Sequence, residues 1–316
     1  MLTYIPYIPE YNMGMCCKGL CTYCGGKTRL YNYIAYLVYL CRAETFFDLF
    51  AGSAVLSLNI NVRNKVINDM NTKLAVVYYA LSRKDTAGLV MARIKDTKYC
   101  SKIFYKAHEY WEKRKDNVLA DFSGQDLCDA AYYALILLNF SRIGSSIDSE
   151  FTDSKEQMYD FMRFQDNLIS YLGRLDGALV RNESVLDILE NLVERPEKIS
   201  DNTVIYLDPP YLPSKKRGVN SNGTYKDGKG SNVFGRESHK RMLELADKLP
   251  RDKCKVIISG YDDMYNLYDD TLGGNDFGEW SKIFVKSLPV MFGDGSKLKD
   301  GKRAVEDEYF FTNFII

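Results

Sequence analysis

The chain has 316 residues, 42 basic and 42 acidic side chains, and no formal net charge. A composition of 46% hydrophobic and 27% charged residues excludes wholesale disorder, and the apolar runs, such as Ala130 to Phe140, are too short to span a bilayer. Zero net charge excludes a strongly cationic nucleic-acid-binding module but permits an enzyme with a locally basic groove, and 2 His turn attention away from histidine-based metal or triad chemistry.

In chain order, the opening MLTYIPYIPEYN has no basic n-region and no apolar h-region, so a cytoplasmic protein without membrane contact is expected. Cys16, Cys17, Cys21 and Cys24 follow. Cys21-x-x-Cys24 with a neighbouring thiolate can serve zinc. Two adjacent cysteines rarely reach one tetrahedral ion, however, and no second CxxC follows at zinc-ribbon spacing. Reduced thiols and no metal are the expectation. The run Tyr23-Cys24-Gly25-Gly26-Lys27-Thr28 is not a P-loop, because Cys21 stands where that motif needs glycine. Gly25 and Gly26 still allow close backbone approach, and Lys27 can meet a carboxylate.

From Thr45, TFFDLFAGSAVLSLNI reads as a strand ending in Asp48, a turn through Phe50, Ala51, Gly52 and Ser53, and a helix. Backbone N–H groups in such a turn can approach a ligand, although the GxGxxG spacing is absent. Lys65 to Leu81 repeats the plan, with Asp69 closing the strand. An acid there either holds a ribose diol or caps the following helix. The β-α-β-α order predicts an α/β fold with a parallel sheet.

Ser82 to Leu172 carries helical periods at Asp85 to Ile94, Tyr105 to Ala120, Leu127 to Phe140 and Lys155 to Leu172. Residues 84–172 therefore read as a mainly helical insert in a domain made of 1–83 and 173–316. Strand text returns at Gly177 to Val180 and Thr203 to Leu207. Leu212 to Phe234, rich in Lys, Gly, Ser and Asn, reads as a long mobile loop. A helix over Glu237 to Leu249 and strands over Lys255 to Ser259, Trp280 to Ser287 and Glu308 to Ile316 complete the chain.

Asp208-Pro209-Pro210-Tyr211 directly follows the strand Val204 to Leu207. Two prolines stop the ladder and fix an extended turn, holding Asp208 and Tyr211 at the sheet edge where open α/β folds place ligands. The alternative is a plain turn with a capping Asp. The chemistry favours a site. An exocyclic amine of a base is a poor nucleophile because its lone pair is delocalised into the ring. A carboxylate and a backbone carbonyl can each accept one of its N–H bonds, and an aromatic ring can stack on a base that has left its duplex.

The run GGKTRL, then DLFAGSA, NDMN, a helical insert and DPPY resembles the Dam-type family of DNA adenine N6-methyltransferases. The resemblance reaches from Tyr23 to the final strand, whose text Arg303 to Phe314 is similar to the family's closing strand. It implies a Rossmann-like fold with a mixed, mostly parallel seven-stranded sheet and an inserted helical target-recognition domain. It implies S-adenosylmethionine as cofactor, double-stranded DNA as substrate, a monomer, and a cognate restriction enzyme as partner.

The resemblance also implies roles. Tyr23, Gly25, Gly26 and Lys27 lie along the methionine end of the cofactor. Asp48, Phe50, Ala51, Gly52 and Ser53 form its turn, Asp69 holds its ribose and Ser184 meets its adenine. Asp208, Pro209, Pro210 and Tyr211 are the catalytic set, with Asp208 also beside the cofactor. The resemblance places Arg142 in the segment leading to DNA, while the local basic text itself sets Lys215, Lys216, Arg217, Lys226 and Lys229 just after the Asp208–Tyr211 turn, where they either meet phosphates or are solvated surface charges. Lys297, Lys299, Lys302 and Arg303 form a second basic cluster, and Arg83, Arg93 and Arg114 lie in or beside the insert. His239 either helps start a helix near the site or is a surface residue. Ala54 departs from the family, where a glycine stands, so its methyl group is expected to crowd the turn. N4-cytosine or RNA adenine methylation, and an inactive DNA-binding regulator of the same fold, are the alternatives.

Overall fold

The computed structural model describes residues 3–5, 10–21, 26–141, 150–211, 234–261, 265–273, 278–289 and 305–315. The chain begins with β1 (Thr3–Ile5), α1 (Tyr31–Leu40), β2 (Thr45–Asp48), α2 (Val55–Asn59), β3 (Asn64–Asn68) and α3 (Thr72–Leu81). A helical stretch follows: α4 (Lys84–Lys95), α5 (Ser101–Glu112), α6 (Gly124–Phe140), α7 (Lys155–Asp166) and α8 (Leu168–Tyr171). Then come β4 (Leu179–Arg181), α9 (Val185–Glu194), β5 (Thr203–Leu207) and α10 (Arg236–Asp247). The last elements are β6 (Cys254–Tyr261), α11 (Tyr265–Leu272), β7 (Ser281–Pro289) and β8 (Val305–Thr312).

Two compact units form. The first comprises Met1–Tyr11, Tyr33–Phe50 and Glu183–Ile316. Its strands run in the order β1-β7-β8-β6-β5-β2. β5 pairs in parallel with β2 and β6, β1 pairs in parallel with β7, and β8 is antiparallel to β6 and β7. β2 and β5 are buried along their whole length, Thr45 and Asp48 included, as in strands covered on both faces. α9 buries Val185, Ile188, Leu189 and Leu192, and α10 buries His239, Met242, Leu243 and Ala246, each set at helical spacing.

The second unit comprises Asn12–Asn32 and Ala51–Asn182. It holds the parallel pair β3–β4 and the helices α2 to α8. α6 is its centre, buried almost all round from Leu127 to Phe140, with α3, α4, α5 and α7 against it. α5 turns Phe104, Ala107 and Trp111 inward and stops at Glu112, short of the expected Ala120. Beyond Trp111 the text becomes Lys113-Arg114-Lys115-Asp116, with no apolar residue to continue the stripe.

Mixed, mostly parallel pairing is confirmed, with eight strands among the described residues where seven were expected. β1, α1, α9 and α11 are additions to the sequence reading. The closing strand starts earlier than expected, at Val305, and ends at Thr312, where the Thr312 hydroxyl donates to the Phe314 carbonyl. Among the described residues no helix is long and apolar enough to cross a membrane.

Candidate active site

In the second unit, the turn after Phe50 is held by backbone bonds. Ala51 N–H donates to the Asn68 carbonyl at 3.0 Å, and Ala54 N–H donates to the Ala51 carbonyl at 2.7 Å. Gly52 has φ 52°, a left-handed value that glycine adopts without cost. Ala54 has φ 56° and is fully buried, so the residue that departs from the family carries the strain a glycine would avoid. The Tyr78 hydroxyl donates to the Gly52 carbonyl and fixes the turn from below.

Asp69 binds this turn to the end of β3. Its Oδ2 accepts Gly52 N–H and its Oδ1 accepts Asn71 N–H, each at 2.9 Å. The cap of α3 is Asn71, whose side chain accepts Lys73 N–H, so Asp69 is not the capping residue. Asp69 is 4% exposed, and burial pushes its carboxyl up to about 6 despite the two N–H bonds. Each oxygen keeps a lone pair for a further donor. Asn182 donates to the Asp69 carbonyl at 2.8 Å and accepts the Thr72 hydroxyl at 3.1 Å.

The cysteine-rich entry braces the same turn. Leu20 N–H donates to the Ser53 carbonyl at 2.8 Å. A Cβ on Gly19 would lie 2.4 Å from Ser53 Cβ and Oγ, so only glycine permits this approach. The Asn59 side chain accepts N–H bonds from Cys16 and Cys17 and returns one to the Cys17 carbonyl. Burial raises the Cys17 thiol and pushes Cys21 up to about 12, which keeps both protonated. Among the described residues no cluster of His, Cys, Asp and Glu is placed to hold a metal. Gly26 opens a short turn in which Lys27 is buried. Tyr23, Cys24 and Gly25 lie outside the described residues.

In the first unit, β2 and β5 run in parallel with Asp48 opposite Tyr206, and Leu49 N–H donates to the Tyr206 carbonyl. The carboxyl ends of these strands thus bring Asp48 and Phe50 beside Asp208. Asp48 is buried, Asp208 is half-buried, and Pro209 is buried beneath the turn. The Tyr211 hydroxyl donates to Glu308 Oε2 at 3.3 Å, and its ring meets Tyr261 edge-on at 4.4 Å. Burial, with Glu308 and Asp208 nearby, raises the Tyr211 hydroxyl well above the ordinary phenol range. The ring is a fixed platform with its proton retained. Ser184 stands at the N-cap of α9 without a side-chain bond to that helix.

His239 is fully buried, with Nε2 3.0 Å from the Pro210 carbonyl and Nδ1 3.2 Å from the Tyr268 hydroxyl. The surface alternative for His239 is therefore overturned. Glu308, Tyr261 and Tyr268 join the site unannounced by any motif. Their distance in sequence hid them, since only the pairing of β6 with β8 sets Glu308 opposite Tyr261.

The proposed phosphate contacts Arg142, Lys215, Lys216, Arg217, Lys226 and Lys229, the cluster Lys297 to Arg303, and the loop 212–233 lie outside the described residues. Three other arginines have structural partners. Arg83 pairs with Asp85 at 3.3 Å. Arg93 pairs with Asp129 and lies 3.8 Å over Tyr132. Arg114 pairs with Asp126 at 3.2 Å and lies 3.8 Å over Tyr110.

In the first unit an Asp-Pro-Pro-Tyr turn at the carboxyl edge of parallel strands defines an α/β protein of the class whose ligands bind at that edge. The model of the D12 class N6 adenine-specific DNA methyltransferase family matches residues 23–276, and the chain belongs to that family. It is 26% identical to the modification methylase StsI of Streptococcus sanguinis over 77% of its own length and 35% of that protein's. It is 24% identical to the type II methyltransferase M.FokI of Planomicrobium okeanokoites over 94% of its length and 43% of the relative's. The chain thus spans less than half of these two relatives. It is 22% identical to the DNA adenine methylase of Escherichia coli strain K12, over 76% of its length and 79% of that protein's.

Proposed function

We propose that the protein transfers a methyl group from S-adenosylmethionine to N6 of an adenine flipped out of double-stranded DNA. The observation that carries this reading is the Asp208–Tyr211 turn at the end of β5, beside Asp48 at the end of β2. Family membership and the names of the relatives support it.

The residues present suit the cofactor. Asp69 offers carboxylate lone pairs to a ribose diol, and the left-handed Gly52 exposes its turn to close approach. Ala51 and Ser53 belong to that turn, and Asp48 and Phe50 precede it in sequence. Gly25, Gly26 and Lys27 with Tyr23 serve the methionine end, and Ser184 serves the adenine. When bound, S-adenosylmethionine supplies a methyl group on an activated sulfonium.

The chain's own groups then position the base. Asp208 accepts one N6 hydrogen bond and the Pro209 carbonyl accepts the other, which localises the nitrogen lone pair. Tyr211 stacks on the adenine. Were the methyl group to pass from that sulfonium to N6, the Asp208 carboxylate would be the first acceptor of the surplus N6 proton. The protein contributes positioning and electrostatics.

Residues 84–172 form the target-recognition part, with Arg142 and Lys215, Lys216, Arg217, Lys226 and Lys229 on DNA phosphates. Binding should therefore weaken steeply with salt. The protein acts in the cytoplasm as a monomer. Two relatives named as modification methylase and type II methyltransferase support a cognate restriction enzyme as partner. The test is tritiated methyl transfer to unmethylated DNA, followed by digestion to nucleosides. Label in N6-methyladenine is expected. Label in N4-methylcytosine, or transfer to RNA alone, would replace this reading by a rival.

A further inference from the structure

His239 is fully buried in the first unit, on the inner face of α10, and both ring nitrogens have partners. The Pro210 carbonyl can only accept a hydrogen bond, so the Nε2 atom 3.0 Å away carries the proton. Nδ1 is then a lone-pair acceptor, and the Tyr268 hydroxyl at 3.2 Å donates to it. One buried tyrosine thus sets the tautomer of one buried histidine, which holds one carbonyl of the Asp-Pro-Pro-Tyr turn. Tyr268 is itself fixed, fully buried with its ring 4.6 Å from that of Phe311. Burial lowers His239 to about 4, so the ring is neutral in ordinary buffers.

The ring has a second set of contacts. Phe234 meets it nearly perpendicular at 5.0 Å, and Phe234 in turn meets Phe50 at 5.3 Å. The line Phe50–Phe234–His239 therefore joins the end of β2 to the catalytic turn, within one unit. A hydrogen-bonded Pro210 carbonyl fixes the peptide plane leading into Tyr211 and limits rotation of the preceding Pro209 carbonyl. Proline supplies no N–H of its own with which to anchor the turn.

We infer that His239 is a positioning residue for methyl transfer, acting through the Pro210 carbonyl to hold Asp208, the Pro209 carbonyl and Tyr211 in the geometry that receives the adenine amine. This rests on the methyl-transfer reading above. It makes Tyr268 the residue that selects the working tautomer. It also predicts a kcat effect separate from cofactor binding, since among the described residues the partners of the His239 ring are the catalytic turn, Tyr268 and Phe234.

The experiment uses the full chain, unmethylated DNA and saturating tritiated cofactor, with cofactor affinity measured separately by calorimetry. His239→Phe keeps a ring against Phe234 and removes both hydrogen bonds. Its kcat should fall roughly 10- to 100-fold, with cofactor affinity within about threefold of wild type. His239→Gln can still donate to the Pro210 carbonyl and should recover to within about fivefold of wild type. Tyr268→Phe releases the tautomer and should lose about three- to tenfold in kcat. Turnover of His239→Phe within about twofold of wild type, or equal losses in the Phe and Gln variants, would overturn the inference. Should His239→Phe fail to fold, Tyr268→Phe decides: a kcat loss at unchanged cofactor affinity supports the inference and no loss overturns it. A wild-type protein that labels no adenine overturns the underlying reading instead, before any variant is made.

Discussion

Asp69 and Asp208 each follow a parallel strand, yet they are held in opposite ways. Asp69 is enclosed and gripped by two backbone N–H groups, one of them only two residues away. Asp208 is half-buried at an open edge, in a turn fixed by side chains from α10, α11, β6 and β8. A binding acid can be built locally from main-chain donors. On the proposed function, an acid that meets a reacting amine needs a rigid frame, and distant elements supply it.

Breaking the local grip should give the largest effect on cofactor binding. Asp69→Ala removes two charge-assisted acceptors for a ribose diol and should weaken cofactor binding about 30- to 200-fold, read by calorimetry. The same carboxyl has a pH signature. Its folded value, about 6, lies above the ordinary value of 3.8. Its contribution to stability is therefore fully present below about 4 and is lost as pH rises through about 6. Cofactor affinity should move the other way, rising across that window as the carboxylate forms. Asp69→Ala should flatten both trends in thermal melts and binding curves.

Gly19→Ala tests the brace behind the turn. The added methyl group collides with Ser53 and should cost about 1–3 kcal/mol, seen as a lower Tm and a cofactor affinity reduced about tenfold. On the other side of the comparison, Glu308→Gln keeps an acceptor for Tyr211 but removes its charge. It should lower kcat about threefold to tenfold with cofactor affinity unchanged. Combining it with Tyr211→Phe should add little, because both act on one bond. The smallest effect belongs to Ala54→Gly. Relief of the left-handed strain offsets the lost methyl burial and the added chain entropy, so Tm should shift by the equivalent of less than about 1 kcal/mol.

The same contrast explains what could be read from sequence. The strand–acid–turn–helix text around Asp48, Asp69 and Asp208 is local, so periodicity and turn chemistry located all three acids. Glu308 and Tyr261 carry no such pattern, because the antiparallel pairing of β8 with β6 brings them together. His239 was visible only as one half of an even alternative, since its helix position does not reveal the carbonyl above it. Asn71 took the capping role open to Asp69 because it sits two residues nearer the first turn of α3. Several of the chain's 24 tyrosines also serve tertiary contacts that no local pattern shows. Tyr110 and Tyr132 lie under Arg114 and Arg93, while the hydroxyls of Tyr78, Tyr211 and Tyr268 bond the Gly52 carbonyl, Glu308 and His239.

The central claim is that binding and chemistry are divided between these two acids. Asp208→Ala, assayed for methyl transfer to DNA and for cofactor binding in parallel, tests it most directly. The account predicts transfer reduced at least about 10³-fold with cofactor binding still measurable. Near-normal turnover in Asp208→Ala would contradict it.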